Sequence, residues 1–288
     1  MGQPVLLCSD LDRTILPNGR QPESPQARPL LRALAARPEV TLAYVSGRHE
    51  VLLKQAIEEY AIPVPDYAIG DVGTTIYEIR EGAWQAWPAW TEEIAPDWRG
   101  RSHDELAALF ADVNDLVLQE AEKQGTFKLS YYTPADMDRI ALLPEMEQRL
   151  GALGIRASLI WSVDEAANVG LLDVLPAGAT KLHAVRFLMQ RKGFSEARTV
   201  FAGDSGNDLP ALTSGLQAVL VRNAHPEVLR EALDTLAAKG AADKLFIAEG
   251  GFLGMNGNYA AGVLEGLVHF LPETREWLRT AVTPAQAR

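Results

Sequence analysis

An apolar run, Val5-Leu6-Leu7-Cys8, leads almost directly into Asp10-Leu11-Asp12-Arg13-Thr14. A short apolar run of this kind reads as a strand buried on both faces. Such strands belong to parallel sheets covered by helices. Open α/β sheets build their sites outside the carboxyl ends of their strands. Residues two apart on an extended backbone point the same way, so Asp10 and Asp12 project together. Two carboxylates that close need a cation, a shared proton or distance. The pair therefore constrains the fold and asks for a metal and a reaction.

The 288 residues allow one large domain or two smaller ones. A net charge of -11 speaks against a nucleic-acid-binding face. An anionic substrate remains compatible, because a bound cation inverts the local field. Cys8 is the single cysteine. It has no internal disulfide partner, which points to the cytosol, and in an apolar strand it reads as a core residue rather than a nucleophile. The N-terminus lacks the basic start and apolar stretch of a secretory signal. No apolar run reaches the ~20 residues that span a bilayer. The expectation is a cytoplasmic protein with no nucleic-acid or membrane partner.

Strands and helices alternate at first. Val5 to Cys8, Val40 to Val45 and Tyr67 to Ile69 read as strands, with helices over Pro25 to Ala36 and His49 to Tyr60. A short strand, Thr74 to Ile79, follows. This is the pattern of a parallel sheet with right-handed crossovers. It then breaks into a Trp-rich stretch holding Trp84, Trp87, Trp90 and Trp98. Beyond it the spacing predicts a helix from Asp104 to Lys123, capped by Ser102 with Glu105 three residues on. A strand from Phe127 to Thr133, a helix from Pro134 to Leu150, and strands at Ile155 to Ser162 and Val169 to Leu175 complete an α+β insertion. Winding resumes with a helix at Thr180 to Lys192, a strand at Thr199 to Ala202, a helix at Leu209 to Ser214, a strand at Ala218 to Val221 and a helix at Pro226 to Lys239. The end, from about Thr283, reads as frayed. The fold class expected is α/β: a doubly wound, mostly parallel, Rossmann-like core sheet with an inserted α+β cap. The core takes 1–79 and 178–288, and the cap 80–177.

Four segments fall at strand ends or helix starts: Asp10 to Thr14, Ser46-Gly47-Arg48, Lys181, and Gly203-Asp204-Ser205-Gly206-Asn207-Asp208. Singly, each has an ordinary structural reading as a cap, a turn or a solvated charge. Together they hold the parts of phosphoryl transfer. A carboxylate can attack phosphorus, carboxylates can hold Mg²⁺, and hydroxyl, ammonium and backbone N–H groups can spread the phosphoryl charge.

In order and spacing these segments resemble the haloacid dehalogenase superfamily of phosphotransferases. The resemblance implies that Asp10 is the nucleophile and a Mg²⁺ ligand. It implies that Asp12 is the general acid and then the base, with its backbone carbonyl on Mg²⁺. Ser46 would hydrogen-bond the phosphoryl group, and Lys181 would neutralise charge on it and on Asp10. Asp204 and Asp208 would complete the metal site. Thr14, Gly47, Arg48 and Asn207 would line the substrate. The insertion between Ser46 and Lys181 resembles the large second-position (C2) cap of sugar-phosphate phosphatases, a lid over the phosphoryl centre.

Three further segments resemble sucrose-phosphate phosphatases: Gly70 to Tyr77, Phe127 to Tyr132, and Asn258 to Leu267. Arg13 departs from the pattern, which more usually has a smaller neutral residue there. The implied activity is Mg²⁺-dependent hydrolysis of a phosphorylated disaccharide, first sucrose 6-phosphate, in transient association with a sugar-phosphate synthase. Mannosylfructose phosphate, glucosylglycerol phosphate, a phosphomutase and a non-catalytic synthase partner stand as alternatives. Lys128, Ser130 and Tyr132 share one strand face. Two readings of that face stay open: sugar recognition through Lys128 and Ser130, or a solvated sheet surface. Trp161 and Asp173 are weaker sugar candidates. The Trp cluster from Trp84 to Trp98 is expected to pack the cap rather than to platform a sugar. Arg48 and Asp71 are expected either to orient the site or to act as ordinary hydrogen-bonding residues.

Overall fold

The computed structural model describes residues 3–164 and 167–281. In chain order the main elements are β1 (Val5–Ser9), α1 (Ala27–Ala35), β2 (Val40–Val45), α2 (Glu50–Glu59), β3 (Tyr67–Gly70), β4 (Thr75–Arg80), β5 (Ala83–Ala86) and α3 (Pro88–Ile94). There follow α4 (His103–Leu109), β6 (Val117–Leu118), β7 (Leu129–Pro134), α5 (Arg139–Ala152), β8 (Ala157–Asp164) and β9 (Val169–Pro176). The chain then continues through α6 (Lys181–Lys192), β10 (Thr199–Gly203), α7 (Leu209–Leu212), β11 (Gln217–Leu220), α8 (Pro226–Lys239), β12 (Leu245–Ile247), α9 (Ala260–Phe270) and α10 (Thr274–Ala281).

The larger sheet has the order β12-β11-β10-β1-β2-β3-β4-β5. It is parallel from β12 to β3 and antiparallel at β4 and β5. Strand alternation builds two cores. Val5 and Leu7 of β1 point into one, with Leu31 of α1, Leu53 of α2 and Leu264 of α9. Leu6 and Cys8 point into the other, with Trp90 of α3, Leu188 of α6 and Leu212 of α7. All four β1 residues are fully buried, as a doubly covered parallel strand requires. Winding runs from β1 outward to β2 and β3, then restarts on the other side with β10. The strand order therefore switches between β1 and β10, where open sheets place their ligands.

The smaller sheet is antiparallel, with order β6-β7-β9-β8. One face packs on α4 and α5, through Leu106, Met146 and Leu150 against Leu129, Tyr131, Leu172 and Val174. Asp97 joins the two modules. It accepts the Gly178 N–H at 2.6 Å and pairs with Arg156, tying the outgoing and returning segments together.

The α/β class, the mostly parallel sheet and most elements match the sequence reading. Several details differ. The expected helix from Asp104 to Lys123 stops at Leu109, and Val117 instead pairs with Tyr132. Asp112, Asn114 and Asp115 compete with helical hydrogen bonding at the break. The Ser102–Glu105 capping box is present as expected. The helix expected from Pro134 begins only at Arg139, where Asp138 caps the Ile140 and Ala141 N–H groups.

The main sheet also takes in β5 and α3, past the expected boundary at residue 80. The Trp cluster explains this. Trp84 packs edge-on to Tyr77, Trp87 stacks on Tyr67, and Trp90 meets Phe187, all on the larger sheet's layers. Among the four, only Trp98 is in the smaller sheet's core. The sequence reading left β5, β12, α9 and α10 unassigned, and the frayed end from Thr283 lies outside the described residues. Among the described residues, no helix is long and apolar enough to cross a membrane.

Candidate active site

The carboxyl ends of β1, β2 and β10 and the first turn of α6 converge on one cavity. It is lined by Asp10, Asp12, Ser46, Arg48, Asp204 and Asn207, among others, and measures about 380 Å³. Asp10 leaves β1 while its N–H still bonds Ala202 O of β10 at 2.9 Å. Its carboxylate takes the Lys181 ammonium at 2.7 Å. Lys181 sits at the first position of α6, where Thr180 caps the His183 N–H. The same ammonium reaches Asp208 at 2.8 Å and Asn207 at 3.2 Å. Thr14, fully buried, places its hydroxyl 3.3 Å from Asp10 and 3.2 Å from Asp204.

Asp208 anchors the β10 loop. One oxygen accepts the Asp204 and Ser205 N–H groups at 3.1 and 3.2 Å, and the other holds Lys181. Gly203 permits this, since a Cβ there would lie 2.6 Å from the Asp208 Cβ. Ser46, 1% exposed, accepts the Arg48 N–H at 3.2 Å.

The electrostatics are crowded. Burial pushes the Asp10 carboxyl up to about 7, with Lys181 opposing and Asp208 and Asp204 adding to the rise. Burial likewise pushes Asp204 up to about 6; Asp208 adds and Arg13 opposes. Burial disfavours the charged Lys181, yet Asp208 and Asp10 outweigh it and hold the ammonium above its ordinary range. Asp10, Asp204 and Asp208 each offer an oxygen within 4.8 Å of the others. These are hard donors in a buried, negatively charged cluster, which suits a hard divalent cation.

Asp12 behaves differently. It is 42% exposed and sits in a two-pronged ion pair with Arg48, at 2.9 and 2.7 Å. Asn18 donates a further bond at 2.7 Å. Burial would raise its carboxyl, but Arg48 overrides this and lowers it. Arg48 is thus an orienting partner of Asp12. Asp71 is a turn residue, with φ 52° and a hydrogen bond from the Tyr77 hydroxyl at 3.1 Å.

A second chamber, about 400 Å³, adjoins the first and shares Gly47 and Leu52 with it. Its roof is the inner face of the smaller sheet, with Lys128, Tyr132 and Asp173. Ser130 is fully buried, is not in the chamber's lining, and donates a hydrogen bond to its cross-strand neighbour Asp173, which is. Lys128 is held by Lys123 O at 3.0 Å.

The structure therefore brings together Asp10, Asp12, Thr14, Ser46, Gly47, Arg48, Lys181, Asp204, Asn207 and Asp208. Lys128 lines the adjoining chamber, and Ser130 does not, though it hydrogen-bonds Asp173, which does. Sequence reasoning missed Asn18, and Gln119, Lys123 and Ser162 of the second chamber. Asn18 carried a usable signal: a polar amide on the loop directly after the acidic pair.

A model of the sucrose-6F-phosphate phosphohydrolase family matches residues 3–271. A Nitrosococcus oceani protein, provisionally described as a HAD-like hydrolase, is 60% identical over 97% of this chain and 75% of its own. Mannosylfructose-phosphate phosphatase of Agrobacterium fabrum is 28% identical over 92% of this chain and 96% of its own. The sucrose-phosphatase of Synechocystis, solved with sucrose and phosphate, superposes with a TM-score of 0.69 at 26% identity, covering 93% of this chain and 98% of that one. The motifs at the carboxyl ends of β1, β2 and β10 and at the start of α6 thus all sit within the matched residues 3–271, and the chain belongs to the sucrose-6F-phosphate phosphohydrolase family as a sugar-phosphate phosphatase of the haloacid dehalogenase superfamily.

Proposed function

We propose that this chain hydrolyses a phosphorylated disaccharide, sucrose 6-phosphate first, with Mg²⁺ as its cation. The observation that carries the reading is the pair of adjoining chambers. One is built around Asp10 and Lys181, and the other is a polar recess under the smaller sheet that joins it at Gly47 and Leu52.

Asp10 is the nucleophile, and its attack forms an aspartyl-phosphate as the sugar oxygen leaves. Lys181, Ser46 and the backbone of Gly47 hold the phosphoryl oxygens. Asp12 gives a proton to the leaving oxygen and then takes one from the attacking water. The Arg48 pair holds Asp12 in its ionised form, so the fork opens before the first step and serves the second. Asp10, Asp204 and the Asp12 carbonyl would hold the cation, while Asp208, expected from the sequence as a further ligand, has one oxygen on Lys181 and the other on the Asp204 and Ser205 N–H groups, so it fixes Lys181 and the β10 loop. Bound there, Mg²⁺ supplies charge neutralisation for the phosphoryl oxygens. The smaller sheet acts as the lid, with Lys128 and Asp173 reading sugar hydroxyls.

Mannosylfructose phosphate is the second reading, favoured by the full-length similarity to the Agrobacterium enzyme. Phosphate release with Mg²⁺ is measured over sucrose 6-phosphate, mannosylfructose phosphate, glucosylglycerol phosphate and glucose 6-phosphate. Sucrose 6-phosphate leads by at least about tenfold in kcat/KM, and equal rates with glucose 6-phosphate overturn the disaccharide assignment. Asp10→Asn abolishes release with every substrate; retained turnover overturns the nucleophile.

A further inference from the structure

Asp204 has its own counter-ion. Lys181 serves Asp10 and Asp208, while the Arg13 guanidinium lies 3.4 Å from Asp204 Oδ2. The other Asp204 oxygen faces the Thr14 hydroxyl at 3.2 Å. Asp204 is 3% exposed in its side chain, whereas Arg13 is 47% exposed and lies over it at the cavity mouth.

The position of Arg13 is fixed by its backbone. It adopts φ 61°, a left-handed conformation uncommon for a residue with a side chain. Two hydrogen bonds hold it there. Its N–H donates to Asn18 at 2.8 Å, and its carbonyl accepts from Asn223 at 2.6 Å. The loop thus turns the long cationic arm back across the acidic cluster. A guanidinium and a divalent cation cannot share the same carboxylate oxygen without strong repulsion.

We propose that Arg13 is an intramolecular competitor for the divalent cation at Asp204. It neutralises that carboxylate in the metal-free protein, lowers the affinity for metal, and swings away from Asp204 into solvent when metal binds. This rests on reading Asp10 and Asp204 as ligands of that cation.

The test is Mg²⁺ binding to the full-length protein, by calorimetry and by the Mg²⁺-induced rise in Tm, for wild type, Arg13→Gln, Arg13→Gly and Arg13→Lys. Glycine suits the left-handed backbone, so Arg13→Gly folds even if glutamine strains the loop. Gln and Gly variants bind Mg²⁺ about 3- to 10-fold more tightly, with a larger rise in Tm. Arg13→Lys, which keeps the charge, stays close to wild type. Asp204→Asn loses the Mg²⁺ signal. Equal or weaker binding by both neutral variants overturns the competitor role while leaving the metal site standing. Absence of Mg²⁺ binding in wild type and in both neutral variants overturns the metal reading itself, and with it this inference.

Discussion

Arg48 Nε and Nη2 grip both carboxylate oxygens of Asp12, at 2.9 and 2.7 Å, across 36 residues of sequence. A planar two-pronged pair of this kind fixes orientation as well as charge. It aims Asp12 and keeps its carboxyl below the ordinary range. Arg48→Ala removes the lowering influence, so the Asp12 carboxyl rises. The pH–rate profile of phosphate release then moves to higher pH, and kcat falls about 10- to 100-fold. Arg48→Lys recovers the charge but not the fork, and falls between. An unmoved profile in Arg48→Ala shows that the pair has no part in setting the proton transfer.

Two glycines make opposite predictions. A Cβ on Gly266 of α9 would lie 2.2 Å from Val219 Cγ2 of β11, whereas one on Gly47 meets nothing within 4 Å. Gly266→Ala forces the helix off the sheet and costs about 1–3 kcal/mol of stability. Gly47→Ala stays within about 0.5 kcal/mol of wild type, so any loss of turnover in it belongs to the site. Urea denaturation of the two variants separates these outcomes.

Cys8 is fully buried in β1, and burial pushes its thiol far above the ordinary range. The thiolate is the reactive form. Native protein therefore resists a thiol reagent at pH 8, while denatured protein labels fully. Fast native labelling, read by mass spectrometry, would mean that the central strand opens.

Glu78 ties three elements together, accepting from Arg80, Lys192 and the Tyr67 hydroxyl at 2.7, 3.0 and 3.0 Å. Burial opposes its charge, but these partners lower its carboxyl to about 2 from an ordinary 4.5. A depressed carboxyl stabilises the fold above the unfolded value and loses that contribution as pH falls through the folded one. Glu78→Gln therefore costs about 1 kcal/mol at pH 7, and the difference from wild type shrinks steadily between pH 4.5 and pH 2. Thermal denaturation of both proteins across that range follows it.

Asp10, Ser46, Lys181 and Asp204 were legible in the sequence because each ends a strand or starts a helix whose pattern is local. Apolar runs place the strands, and the polar residue just beyond each run is then at the sheet's edge. What was not legible depends on which surfaces meet. Trp87 and Trp90 read as insertion residues because they follow the last regular strand, but a bulky apolar ring packs wherever a layer lacks cover, and here that layer is α6. Asp112, Asn114 and Asp115 mark the break after Leu109, but the pairing of Val117 with Tyr132 beyond it is a contact that no helical periodicity reveals. Nor does spacing show that Arg48 turns to Asp12, or Arg13 to Asp204. Both depend on side-chain direction on loops, where sequence sets composition and tertiary packing sets aim.

The place of β1 between β2 and β10 has a temporal meaning. β1 is synthesised well before its β10 neighbour, which lies beyond the whole smaller sheet, and Thr14 meets Asp204 across 190 residues. At about 5–20 residues per second, a ribosome takes on the order of ten to forty seconds to cover that interval. Throughout it, Val5-Leu6-Leu7-Cys8 is the open edge of a half-built sheet, with its hydrogen-bonding groups unpaired on one side. The acidic loop meanwhile waits without Lys181. Synthesis thus leaves this buried strand open on one side for the whole interval, and the contact of Thr14 with Asp204 forms only when β10 docks. Aggregation during expression is expected to begin at this edge, and the nascent chain stays inert until its second half arrives.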